Sequence, residues 1–393
     1  MGMKSSCLWA GIALTLGACV QTQSPAAVSE AVATARGCHT PSARIAFDFD
    51  GASASACAID GERAFTVLVT PEHAPPINPS PWYAFRYESE GQAPVTITLR
   101  YLGGKHRYAP KWRSGSDWRK LPVDVTDDGA SATLRVPGGV GVVAAQEVIS
   151  PADHADDLRR WGAAVGTRPF YLGKSHDGRP IEALRLGRAD APRLVLLLGR
   201  QHPPEVTGAL AMRAFVDELA VLLTRNPGLG ERTQFLIVPL LNPDGTARGH
   251  WRANRGATDL NRDWGAFAQP ETRSVKAWLD TLPASVNLAA MIDFHSTSRN
   301  LFYVQGDEAS EAQRRFLRAW LEGKENTFPG YPFTIEPRNA NPGSGTAKNW
   351  FHATYAVPAY TYEVADTADR DGTGAAATAL ADSLIQALDQ LAQ

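Results

Sequence analysis

The stretch Arg193-Leu-Val-Leu-Leu-Leu-Gly199 constrains this chain most. Five large apolar residues in a row, with no polar alternation, do not suit a strand with one wet face, and the run is far too short to span a membrane. It predicts a strand buried on both faces, which requires a parallel sheet with helices on either side. The run breaks at Gly199 and delivers His202 and Glu205 three residues apart, in His202-Pro-Pro-Glu205. A helix is predicted from about Glu205 to Leu223, because Leu210, Ala214, Val216, Leu219 and Leu223 recur every three or four residues. Open α/β sheets gather ligands beyond the C-terminal ends of their strands, where this pair would stand.

Upstream the chain has another character. Lys4, the apolar Leu8 to Leu16 and the small residues of Leu16-Gly17-Ala18-Cys19 make residues 1–19 an export signal. The tetrapeptide resembles a bacterial lipobox, so Cys19 is expected to carry a lipid that anchors the chain in the cell envelope; a plain secretory signal is the alternative. Val20 is not the Asp associated with inner-membrane retention, which favours a periplasmic, outer-membrane location. Residues 20–37 read as a flexible tether. Cys38 and Cys57 are then the only cysteines left, and an oxidising compartment makes them a plausible disulfide. Residues 38–146 carry short alternating segments, 44–49, 64–69, 82–87, 94–101 and 132–136, separated by Gly, Pro and Asp: a small antiparallel β-sandwich. Trp112 and Trp118 are read as packing residues, with a binding surface as the alternative. Residues 147–393 alternate strands with longer amphipathic segments, giving an α/β domain with a mixed, mostly parallel sheet flanked by helices. Strands are predicted at 181–186, 193–198, 233–241, 287–294 and 359–363, and helices from Pro270, over 308–324 and over 374–391. A net charge of -2 gives no support to nucleic-acid binding.

His-x-x-Glu alone is an ordinary surface pair in most chains. It supplies two donors of a catalytic zinc site, which needs a third protein ligand and an open position. His295, at the end of the predicted strand 287–294, is the candidate third ligand. Glu363, ending the strand 359–363, is a carboxylate placed to take a proton from water and return it to a leaving amine. Asn242-Pro-Asp-Gly245 is a turn by composition. Arg252, Arg255 and Arg262 follow in one short segment, the side-chain type that grips carboxylates and steadies an oxyanion. The residues alone do not choose among the three.

His202-Pro-Pro-Glu205, Asn242-Pro-Asp-Gly245, Arg252 ahead of Asp259-Leu-Asn-Arg262, His295-Ser296 and Tyr362-Glu-Val-Ala-Asp-Thr367 stand in the order of the zinc carboxypeptidases of the carboxypeptidase A type. The chain most resembles the cytosolic carboxypeptidase branch, which has a small β-sandwich before the catalytic domain and His-Pro-Gly-Glu where this chain has His-Pro-Pro-Glu. The resemblance implies one zinc ion held by His202, Glu205 and His295, Glu363 as general base and acid, and Arg252 on the scissile carbonyl. It implies that Asn261 and Arg262 hold the terminal carboxylate of a peptide substrate. Fifteen residues before Glu363 the family places the floor of the side-chain pocket; here that is Lys348, which would favour an acidic C-terminal residue. The register is supported by Trp350. The family's substrate-covering tyrosine falls on Asn341, with Tyr331 and Tyr355 as nearby candidates. The expected function is thus a zinc metallocarboxypeptidase. The alternatives are a murein-peptide amidase or carboxypeptidase, and a non-catalytic peptide- or glycan-binding lipoprotein.

Overall fold

The computed structural model describes residues 37–53, 56–338 and 343–391. Cys19, the tether up to residue 36 and the Asn341 position lie outside the described residues.

The sandwich consists of two sheets. One runs Cys38–His39, Ala43–Ala46, Ala84–Ser89, Val140–Ala144, Lys111–Arg113, Trp118–Lys120; the other runs Cys57–Gly61, Ala64–Val69, Val95–Tyr101, Ser131–Val136, Asp124–Val125. Alternation sets the inner face: Val95, Ile97 and Leu99 are fully buried while Thr96 and Thr98 are partly exposed. Facing Ile45, Phe85 and Tyr87 complete that core. One feature departs from the sequence expectation. Ala64–Val69 pairs with Val95–Tyr101 in parallel, so the sandwich is not wholly antiparallel. The chain between them crosses to the other sheet to form Ala84–Ser89, so no hairpin joins the pair. A disulfide joins Cys38 to Cys57, tying the first strands of the two sheets. Trp112 donates to the Tyr87 hydroxyl at 2.7 Å, and both Trp112 and Trp118 pack on the sandwich core.

The third sheet has eight strands in the order Phe170–Lys174, Pro180–Leu186, Thr233–Val238, Arg193–Gly199, Asn287–Thr297, Ala359–Ala365, Leu301–Gln305, Thr334–Arg338. Arg193–Gly199 sits at its centre, parallel to both neighbours. Its side chains divide as a strand's must. Val195 and Leu197 enter the core under the helices Val206–Arg225 and Arg370–Leu388, while Leu194, Leu196 and Leu198 enter the opposite one with Trp264, Val275 and Phe351. Leu196 is fully buried, and its truncation to Ala is expected to cost about 2–5 kcal/mol.

Three local expectations change. Asn287–Thr297 continues past His295, because Ser296 and Thr297 pair in parallel with Val364 and Ala365. Asn242-Pro-Asp-Gly245 opens a short helix, Pro243–Arg248, rather than a simple turn; Pro243 occupies its first position and the Asn242 side chain caps it by accepting from Gly245 N–H. Ala347–Tyr355 is a helix, capped by Thr346, that the sequence did not suggest. Among the described residues no helix is long and apolar enough to cross a membrane.

Candidate active site

Three neighbouring strands bring the site together. The loop leaving Arg193–Gly199 carries His202, and Glu205 stands at the start of the helix Val206–Arg225. Asn242 steadies that loop by donating from its side-chain amide to the Gln201 carbonyl at 3.1 Å. His295 and Glu363 are paired residues on adjacent parallel strands. Gly208 lets the helix lie against the His295 backbone, and its N–H donates to the Ser296 hydroxyl at 2.9 Å.

His202 Nδ1 and His295 Nδ1 approach opposite oxygens of Glu205, at 2.8 and 2.7 Å. The other nitrogen of each ring is held by a second carboxylate: His202 Nε2 by Asp259 at 2.9 Å and His295 Nε2 by Asp293 at 2.7 Å. Both rings therefore turn the same atom inward. Orientation of an imidazole by a carboxylate behind it is the common arrangement of metal-ligating histidines. The three donors lie within 4.8 Å of one another, and two nitrogens with one carboxylate oxygen are a donor set for zinc with a position to spare. Burial opposes charge on all three, yet pairing prevails. His202 and His295 hold Glu205 well below the usual carboxylate range, and Glu205, with Asp259 or Asp293, raises both imidazoles. A metal binding here must displace those protons.

Glu363 lacks this compensation. Burial, opposed by His295 and reinforced by Glu205, pushes it up to about 7, and its buried Oε2 has no hydrogen-bond partner. All eight residues singled out in the sequence, His202, Glu205, Arg252, Asn261, Arg262, His295, Lys348 and Glu363, line one cavity of about 430 Å³. Asp259 links two of them, since its other oxygen accepts from Arg252 Nε at 2.7 Å. Arg255 points elsewhere, toward Asp177 at 3.6 Å. The Asn261 side-chain oxygen accepts from Ala347 N–H at 2.8 Å, which fixes the start of the helix bearing Lys348. Lys348 donates to the Arg338 carbonyl at 2.8 Å, and burial, partly offset by Glu308, lowers its pKa to about 8. Neither Tyr331 nor Tyr355 lines the cavity. Tyr331 is fully buried, and Tyr355 packs on Trp350 and Phe351.

Other residues complete the cavity without having been anticipated. Tyr303 and Arg338 line it on the Lys348 side, the guanidinium 5.5 Å from the ring centroid. Arg107 reaches it from the sandwich, bonded to Asp366 at 2.7 and 2.9 Å and lying 4.8 Å over Trp251. Asp293, two residues before His295 on the same face of its strand, carried a signal in its spacing. Arg107 carried none.

Comparison with known proteins agrees with this geometry. The chain is 25% identical over 246 residues to an uncharacterized protein of Zymomonas mobilis, a match covering 59% of this chain and 63% of that one. It is 26% identical over 175 residues to cytosolic carboxypeptidase 2 of Danio rerio, covering 42% of this chain and 24% of that one. The matches thus span less than two thirds of the length of these relatives. The fold is similar to that of a metallo-carboxypeptidase from Burkholderia cenocepacia, with a TM-score of 0.73, 20% identity, and coverage of 89% of this chain and 99% of that one. The model of the zinc carboxypeptidase family matches residues 166–377, more than half of the chain and the segment holding the whole His202, Glu205, His295 and Glu363 constellation. The chain belongs to the zinc carboxypeptidase family.

Proposed function

We propose that this chain is a zinc-dependent metallocarboxypeptidase that hydrolyses the last peptide bond of its substrate and prefers an acidic C-terminal residue. The observation that carries the proposal is the single cavity in which a His-Glu-His donor set, an unpaired carboxylate and a group of cationic side chains face one another.

His202, Glu205 and His295 would hold the zinc, which when bound supplies Lewis acidity to water and to the scissile carbonyl. Glu363 accepts the proton of the attacking water at its free Oε2 and returns it to the departing amine, so the carboxylate ends as it began. A pKa near 7 suits such a shuttle, and a cation beside it would draw that value down and leave a base at neutral pH. Arg252, its Nε committed to Asp259, donates to the developing oxyanion. Asn261 and Arg262 receive the terminal carboxylate of the peptide. Lys348, with Arg338 close by, offers positive charge to the terminal side chain. The sandwich belongs to the proposal through Arg107, which puts a further cation on the cavity wall. We include envelope anchoring through Cys19 in the same proposal; palmitate labelling of the parent and its loss in Cys19→Ala tests that part.

The function is tested by incubating the chain with peptides ending in Glu, Lys or Phe and with murein peptides, with and without a chelator. Release of the terminal amino acid fastest from the Glu-ended peptide, abolished by chelation and restored by Zn²⁺, is expected. No release from any peptide would refute it, and release from murein peptides alone would move the substrate class.

A further inference from the structure

A second cluster of metal-ligating side chains lies where the sandwich meets the segment bearing Arg252. Glu72, His73 and His250 each offer a ligand atom, all within 4.8 Å of one another. Glu72 and His73 follow the strand Ala64–Val69, and His250 stands two residues before Arg252.

Two deficits meet there. The first is charge. The Glu72 carboxylate accepts from the backbone N–H groups of Trp251, Arg252 (2.8 Å) and Ala253 (2.9 Å). It is half-buried, and among the described residues no Lys or Arg forms an ion pair with it. Three N–H dipoles soften an ionised carboxylate but leave its charge uncompensated, and they occupy three of about four lone-pair sites. The second deficit is a donor. His73 Nε2 is buried without a hydrogen-bond partner, while the ring also meets the Asn254 backbone. His250 Nδ1 donates to the Ala253 carbonyl at 3.0 Å, which leaves the proton on that nitrogen and a lone pair on Nε2. The two rings meet edge to face, their centroids 5.2 Å apart.

One divalent cation answers both deficits, giving the carboxylate a counter-charge and the ring nitrogens an acceptor for their lone pairs. Backbone carbonyls behind imidazoles orient ligating histidines as carboxylates do. We propose that Glu72, His73 and His250 form a second divalent-cation site, of the two-nitrogen, one-carboxylate class that Zn²⁺ occupies, and that it fastens the sandwich to the Arg252 segment. The role is structural, since none of the three residues lines the active-site cavity.

The full chain is stripped with a chelator, reloaded with Zn²⁺, desalted, and its metal counted by mass spectrometry. The proposal expects two equivalents in the parent and one in His73→Ala. His250→Gln should also keep one, so the test survives if either variant fails to fold by circular dichroism. His202→Ala should keep the other equivalent, the one bound here. A parent with one equivalent, or a folded His73→Ala with two, overturns the proposal. If His202→Ala keeps both equivalents while His73→Ala loses one, the active-site triad is wrong and this cluster stands.

Discussion

Gly208→Ala separates local propensity from the geometry of the site. Gly208 lies in the first turn of the helix Val206–Arg225, against the strand that carries His295. A Cβ there would stand 2.8 Å from the His295 carbonyl carbon and 3.0 Å from its nitrogen. Carbon atoms in contact keep about 3.5–4.0 Å apart, so helix and strand must separate by roughly 0.7–1.2 Å. Helix propensity favours Ala over Gly by about 1 kcal/mol. Overpacking against backbone costs about 1–3 kcal/mol, because neither element can rotate the obstruction away. The net is a destabilisation of up to about 2 kcal/mol. The same displacement moves His295 Nδ1 off Glu205, from which it now stands 2.7 Å, and a misplacement of about 1 Å at a reacting centre costs about 10²-fold in rate. Thermal unfolding, zinc affinity by chelator competition and kcat/KM are the readouts, with all three expected to fall. A Gly208→Ala chain with a raised Tm and the parent's zinc affinity would show that propensity prevails and that this contact does not position the ligand.

Lys348→Met is expected to lower kcat/KM for Glu-ended peptides by about 10–100-fold while sparing Phe-ended ones, the scale of one partly buried charge pair. In the parent, a Lys348 pKa lowered to about 8 means the ammonium is present below that pH and lost above it. The Glu-over-Phe preference should therefore be full near pH 6.5 and shrink through and above pH 8, which paired rate profiles would check. Asp293→Ala, which frees His295 Nε2, should weaken zinc binding by about 10–100-fold in the same competition assay. Burial opposes ionisation of Glu147, but Arg370 and Lys111 outweigh it and lower its pKa from 4.5 to about 2. Its stabilisation is present above 4.5 and lost as pH falls through 2, worth about 3 kcal/mol by linkage. Burial also lowers Lys111 to about 8, so the pair as a whole contributes less. Glu147→Gln should raise the midpoint pH of acid unfolding, followed by circular dichroism.

The four central residues were legible because the three strands feeding them announce themselves. Arg193–Gly199, Asn287–Thr297 and Ala359–Ala365 are apolar runs in which His295 and Glu363 are polar interruptions, and His202 follows a glycine break. The end of the middle strand was misplaced because Ser296 and Thr297 read as loop residues; their partners lie 68 positions on, beyond the reach of local pattern. The Pro243–Arg248 helix was hidden for a related reason, since Pro, Asp and Gly signal a turn whether or not the backbone continues into a helical cycle. Arg252 could be chosen over Arg255 only by resemblance, and the geometry gives a physical ground: Asp259 holds Arg252 at the cavity, while Asp177 draws Arg255 away. Arg107 was invisible, because its partner Asp366 is 259 residues distant. Glu72 was passed over too, because three backbone N–H groups are a partner that no sequence pattern displays.

The most direct test of the catalytic assignment is Glu363→Gln. The amide keeps the size of the carboxylate but cannot accept and return a proton, and Glu363 lies outside the His202, Glu205, His295 donor set. The account predicts that this variant folds, binds as much zinc as the parent and loses hydrolysis of a Glu-ended peptide by at least about 10³-fold, within the range of a lost general base. A variant with the parent's zinc content and the parent's rate would contradict it.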